Sequence, residues 1–143
     1  MSSNDKNNII KIMKANANHA YLATCDGDQP VIRSMSPIIE NDMTIWMSTF
    51  KSSRKMKQIR KNPKICLWFV EQPSGDKSVS VIGKVQIIEN IKEKTRVWNL
   101  AGYDLSAYFP DGPSSSEFCL LKIKVTKIEW RDSWTAPLKT FKP

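Results

Sequence analysis

Residues 43–49 read Met-Thr-Ile-Trp-Met-Ser-Thr, a strict alternation that sets Met43, Ile45 and Met47 on one side and Thr44, Trp46 and Ser48 on the other. Only an extended strand repeats every two residues, so this segment is predicted to be a strand with one core face. The pattern recurs along the chain. Residues 20–26 (Ala-Tyr-Leu-Ala-Thr-Cys-Asp) and 31–38 read as two strands joined through Asp26-Gly27-Asp28-Gln29, and Asp-Gly is a strong tight-turn signal. Residues 65–70, Ile-Cys-Leu-Trp-Phe-Val, are continuously apolar, which predicts a strand buried on both faces. A long strand follows over 78–89, where the isolated Gly83 signals a bulge or a close backbone approach. The last strand, 118–130, alternates Leu121, Ile123, Val125 and Ile128 with lysines.

Three helices fall between these strands. Residues 4–17 carry Ile9, Ile10, Ile12 and Met13 at amphipathic spacing. Ser52 and Ser53 are natural N-caps for a basic helix whose apolar edge is Met56 and Ile59, and Asn62-Pro63 ends it because proline disfavours helical geometry in the residue before it. Residues 91–101 form the third, with Ile91, Thr95, Trp98 and Leu100 on or near its buried side, and 103–116 is a loop containing Pro110-Asp111-Gly112-Pro113. The tail from Arg131 has Trp134 and Phe141 but little periodicity. Six strands of mostly antiparallel type with inserted helices predict a mainly β protein, a small barrel with helical additions. Residues 1–143 form a single domain, with a core over about 18–132 and a C-terminal tail over 133–143. A chain of this size buries roughly 68–70% of its unfolded surface, enough for a real core.

Several function classes lose their chemistry at once. No apolar run approaches the roughly 20 residues that span a bilayer, and the opening Met1-Ser2-Ser3-Asn4-Asp5 is polar, so a soluble cytoplasmic protein without a membrane partner is expected. Cys25, Cys66 and Cys119 are odd in number and far apart, the pattern of free buried thiols. His19 is the one histidine, too few for a His-based metal triad or a Ser-His-Asp triad, and no metal is expected. No Gly-x-Gly-x-x-Gly or Gly-Lys-Ser/Thr loop occurs.

Charge is what remains to be explained. Lys and Arg number 22 against 14 Asp and Glu, a formal surplus of +8, and residues 51–64 hold seven of the cations with no acid among them. Outside that stretch the chain is near neutral, and past Phe50 the run has no interleaved aromatics, which argues against a nucleic-acid partner. A small anion suits it better. The junction 48–55, Ser-Thr-Phe-Lys-Ser-Ser-Arg-Lys, sets hydroxyls at a strand end and cations in the first turn of a helix. A helix N-terminus is partly positive and offers free N–H groups, so Arg54 and Lys55 are unfavourable there unless an anion neutralises them. Arg33 sits mid-strand, where an unpaired charge is costly, and reaches the same anion if the second and third strands are neighbours. Lys57, Arg60, Lys61 and Lys64 read as a solvated helix face.

The order Ala23-Thr24, Asp26-Gly27, Pro30, Arg33, a strand closing on Thr49, Ser53-Arg54-Lys55 and Asn62-Pro63 resembles the FMN-binding split-barrel superfamily that includes pyridoxamine 5'-phosphate oxidase. Residues 79–85 with Gly83 are similar to that family's valine-rich strand, and Tyr108-Phe109-Pro110-Asp111-Gly112-Pro113, followed by Leu120-Leu121 and Ile128-Glu129-Trp130, resembles its general stress protein branch. The resemblance implies a six-stranded antiparallel split β-barrel, a homodimer, and FMN bound between the subunits. It further implies an FMN-dependent oxidoreductase acting on a small-molecule redox substrate, or else a module that binds FMN, haem or a deazaflavin without turnover. By the same resemblance Arg33, Ser53, Arg54 and Lys55 hold the flavin phosphate, while Ser34, Met35, Ser48 and Thr49 line the ring and ribityl chain. Trp130 and Trp134 are candidates to cover a flavin, with core or interface packing as their other role. The oxidases of that family carry an arginine-bearing loop for the substrate phosphate and a C-terminal arginine-rich region with a histidine. Here residues 108–116 contain no arginine and the tail has Arg131 but no histidine, so the resemblance implies the cofactor and leaves the organic substrate open.

Overall fold

A computed structural model describes residues 3–143. The elements run α1 (Ser3–Ala15), β1 (Ala20–Asp26), β2 (Gln29–Met35), β3 (Ile38–Ile39), β4 (Ile45–Phe50), α2 (Arg54–Lys61), β5 (Lys64–Val70), β6 (Ser78–Ile88), α3 (Ile91–Trp98), β7 (Phe118–Arg131) and β8 (Lys139–Phe141). The strands form one sheet in the order β2-β1-β5-β6-β7-β4-β3, with β8 added to β7 and every pairing antiparallel. β7 is the hub. Its first residues, from Phe118 to Lys122, pair with β4, its last with β8, and nearly its whole length with β6.

The sheet curls into a half-barrel because its concave face is apolar. Leu22, Leu67, Phe69, Val79, Val81, Leu121, Ile128 and Trp130 meet there, joined by Ile9 and Met13 of α1 and by Met56 and Ile59 of α2. Burying each such side chain contributes roughly 1.5–3 kcal/mol, so both helices are held by these contacts rather than by their own short length. The β1–β2 hairpin forms as expected, Asp26 facing Gln29 across a two-residue turn in which Gly27 has φ of 62°. Gly83 likewise marks a register shift between β6 and β7, where a Cβ would lie 2.3 Å from the Lys124 carbonyl oxygen. The thiols of Cys25, Cys66 and Cys119 are all free. No helix among the described residues is long and apolar enough to cross a membrane.

Several expectations need correction. The described residues hold eight strands, not six: β3 is a two-residue pairing partner of β4, and the tail supplies β8. The third predicted strand starts two residues late, at Ile45. The Asp42 carboxylate accepts the Thr44 N–H at 2.9 Å and Met43 takes φ of 79°, a tight turn that precedes the strand. Nor is Trp46 on a solvent face, because α3 packs Val97 over it with Ile38 and Leu120. In α3, which ends at Trp98, it is Val97 that is buried, while Ile91 and, beyond the helix, Leu100 are about half exposed. β5 is buried on one face only, with Trp68 projecting outward. The strands carrying Arg33 and Thr49 are not neighbours. β2 and β4 lie five places apart along the sheet, and curling plus α2 is what brings their residues together.

Strand parity separates two faces of the β2-β1-β5 arm. Register pairs Leu22 with both Arg33 and Leu67, so Leu22, Thr24 and Arg33 point inward toward α2. Tyr21, Ala23, Ile32, Ser34 and Trp68 share the outer face, on which Ile32 is 65% exposed.

Candidate functional site

α2 begins where β4 ends, and the three residues between them make a tight corner in which the Ser53 N–H donates to the Phe50 carbonyl at 3.0 Å. Ser53 occupies the N-cap position, but its hydroxyl caps nothing; it lies 3.4 Å from Thr49 Oγ1 instead. That leaves the opening turn of α2 uncapped, and Lys55 folds back so that its Nζ donates to Thr49 Oγ1 at 2.8 Å. Hydroxyls, an ammonium and helix N–H groups converge on one corner.

Arg33 reaches the same corner from β2. Its Nη1 donates to Thr24 Oγ1 at 2.7 Å and to the Leu22 carbonyl at 3.3 Å, and its Nη2 donates to Gln58 Oε1 at 3.0 Å. Thr24 Oγ1 in turn donates to Gln58 Oε1 at 2.6 Å, closing a ring of bonds between β1, β2 and α2. Thr24 and Gln58 are both buried, and strand and helix reasoning missed both. The signal for Thr24 was parity: two residues from Leu22 on a core-facing strand, a threonine needs a partner inside.

The electrostatics are one-sided. Burial, with Arg54 adding to it, holds the Arg33 guanidinium below its ordinary range. Burial also depresses the Lys55 ammonium, and Arg33 adds to that. Among the described residues the ion pairs are Arg96 with Glu40 and Glu93, and Lys139 with Asp132, so none involves Arg33, Arg54 or Lys55. Three like charges gathered without a carboxylate are costly unless an anion joins them.

Next to this corner runs an open groove of about 450 Å³ between the end of β2 and β4. Of the predicted residues, Ser34, Met35, Ser48, Thr49 and Lys55 line it. Arg33 and Ser53 stand behind them, at the hydrogen-bonded corner, and Arg54 lines a second hollow with Lys57 and Lys61. The groove's other wall comes from the segment after α3: Tyr103, Leu105, Tyr108 and Phe109. None of these was singled out from sequence for this role, since the segment reads as an irregular loop; its two 3-10 turns are fixed by Leu105 and Phe109 packing against Phe118. The Tyr103 hydroxyl ties the two banks, donating to the Ser36 carbonyl at 3.2 Å and lying 3.3 Å from Ser48 Oγ. Trp130 is not in the groove. It is fully buried in the core, its indole N–H without a hydrogen-bond partner and its ring under Lys139 Nζ at 4.7 Å. Trp134, 70% exposed, lies in the tail beside Trp68 and Leu138.

Residues 10–131 match the family profile described as pyridoxamine 5'-phosphate oxidase. The chain belongs to the pyridoxamine 5'-phosphate oxidase family. Its half-barrel is consistent with the split-barrel fold of that family's solved structures. A protein related to general stress protein 26, of the pyridoxinephosphate oxidase family, from Clostridium acetobutylicum superposes with a TM-score of 0.73 at 21% identity, covering 96% of this chain and 92% of that one. A pyridoxamine 5'-phosphate oxidase-related, FMN binding protein from Nostoc punctiforme gives 0.67 at 13% identity, covering 99% and 95%. A heme binding protein from Mycobacterium smegmatis gives 0.74 at 12% identity, covering 94% of this chain and 56% of that one. At these identities the likeness is one of fold. No curated protein matches the sequence. For a pyridoxamine 5'-phosphate oxidase family chain the groove is notable for what its loop wall carries: Tyr103, Leu105, Tyr108 and Phe109 are neutral, and Lys55 is the one basic residue among the lining residues described.

Proposed function

We propose that the chain binds FMN, its phosphate on Arg33, Ser53, Arg54 and Lys55 and its ring and ribityl chain along Ser34, Met35, Ser48 and Thr49, and that it works as an FMN-dependent oxidoreductase on a small-molecule redox substrate. The observation that carries this reading is the cluster of Arg33 and Lys55, both partly buried and of like charge, without a carboxylate partner among the described residues. A phosphate dianion matches that donor set in charge and in chemistry: two cationic side chains and the first turn of a helix converge with the Thr49 and Ser53 hydroxyls. Flavin, when bound, supplies one- or two-electron transfer; the protein's residues hold and orient it. Trp130 is left out of the set because it is closed inside the core.

The reading includes a homodimer with the flavin at the subunit interface. Its support is the outer face of the β2-β1-β5 arm, which carries the exposed Ile32 and the 41%-exposed Trp68, and where Ser34, a groove residue, pairs with Tyr21.

A second reading, a flavin-binding module without turnover, is favoured by one observation. The described lining of the groove holds no histidine, cysteine or carboxylate, so proton transfer there falls to Lys55, Tyr103 and Tyr108. Purified protein should be yellow with flavin absorption. A colourless preparation that FMN cannot titrate would overturn both readings, and bound flavin that NADH or NADPH with a reductase cannot reduce would leave only the second.

A further inference from the structure

Arg33 is the most elaborately held cation of the site, and everything holding it is neutral. The Leu22 carbonyl, the Thr24 hydroxyl and the Gln58 amide oxygen accept from its Nη1 and Nη2 at 3.3, 2.7 and 3.0 Å, and Thr24 braces Gln58 at 2.6 Å. Thr24 is 2% exposed and Gln58 7%. An arginine drawn partly out of water is ordinarily met by Asp or Glu, which fixes its plane and cancels its charge together. Here the two effects are separated. Neutral acceptors fix the plane of the guanidinium and leave its charge uncancelled, near enough to Lys55 to act on it.

We propose that Gln58 and Thr24 are positioning residues that hold Arg33 oriented but unneutralised, so that the site selects a ligand carrying a phosphate dianion over the same ligand without it. This rests on the reading of the corner as a flavin phosphate site. Gln58→Glu is the discriminating substitution, because a carboxylate in the same place would accept the same two bonds while cancelling the charge. Glu and Gln are nearly isosteric, and the new pair with Arg33 should leave the fold at least as stable as before.

The test is a pair of fluorescence titrations, FMN and riboflavin, on wild-type protein, Gln58→Glu and Thr24→Val, with thermal melts as the check on folding. Gln58→Glu is expected to keep its melting temperature and its riboflavin affinity and to lose roughly tenfold to a hundredfold in FMN affinity, about the worth of one charge-assisted bond. Thr24→Val, which removes one brace without adding charge, is expected to lose less for FMN and again nothing for riboflavin. Unchanged FMN affinity in Gln58→Glu, or an equal loss for FMN and riboflavin, would overturn the positioning role. Wild-type protein that binds neither flavin would instead overturn the flavin reading itself, so the two failures are distinguishable.

Discussion

Lys55 Nζ lies 2.8 Å from Thr49 Oγ1, a contact between the first turn of α2 and the last inward residue of β4 that spends a cation on a neutral hydroxyl. With Arg33 close enough to depress it further, this lysine is a charge in waiting. Replacing it by methionine keeps most of its packing and removes the charge. FMN affinity should fall roughly tenfold to a hundredfold, and Arg54→Ala should fall in the same direction, both read by quenching of flavin fluorescence. Unchanged affinity in both variants would move the phosphate elsewhere.

Burial of Lys55 beside Arg33 should appear in the stability of the flavin-free protein. Burial and Arg33 hold the Lys55 ammonium below its ordinary value of 10.5. A base depressed in this way binds fewer protons folded than unfolded, so its contribution to stability rises as pH climbs through the lowered value and is complete near 10.5. Melting curves taken on the alkaline side should therefore favour wild type progressively over Lys55→Met as pH approaches that limit. A difference between the two that does not change with pH would count against a depressed Lys55 ammonium.

Anions should do the same work at neutral pH. Sulfate or phosphate at matched ionic strength should raise the melting temperature of the flavin-free protein relative to chloride, through binding to the folded state alone. FMN should raise it further. The Arg33→Ala variant should respond less than wild type to both.

Gly83 offers a test of the fold apart from the site. A Cβ there would stand 2.3 Å from the Lys124 carbonyl oxygen, a backbone atom that cannot swing aside. Gly83→Ala should cost about 2 kcal/mol or more, a drop of roughly 5–10 °C in melting temperature, with flavin affinity nearly unchanged in the protein that remains folded.

What could be read from the sequence and what could not divide along physical lines. The Asp26-Gly27 hairpin, the Gly83 bulge and the buried edge of Met56 and Ile59 on α2 are local effects of turn chemistry and periodicity, and the structure has all three. The cluster of cations at the start of α2 was legible because cations in the first turn of a helix contradict its dipole. Two things were hidden because they depend on curvature. Arg33 and Thr49 sit on strands that are remote in the sheet, so the pairing on which their meeting was conditional does not occur, and curvature with α2 brings them to one corner instead. Gln58 was hidden inside a basic helix, where a polar residue reads as solvated; only the approach of β1 and β2 to α2 buries it. β3 and β8 were missed because two- and three-residue strands carry no period to detect.

The measurement that bears most directly on the central claim is a paired equilibrium titration of flavin-stripped wild-type protein with FMN and with riboflavin. FMN should bind saturably, with an affinity at least about tenfold above that of riboflavin, because Arg33, Lys55 and the α2 N-terminus act on the phosphate alone. Equal affinities, or no saturable binding of FMN, would contradict the account.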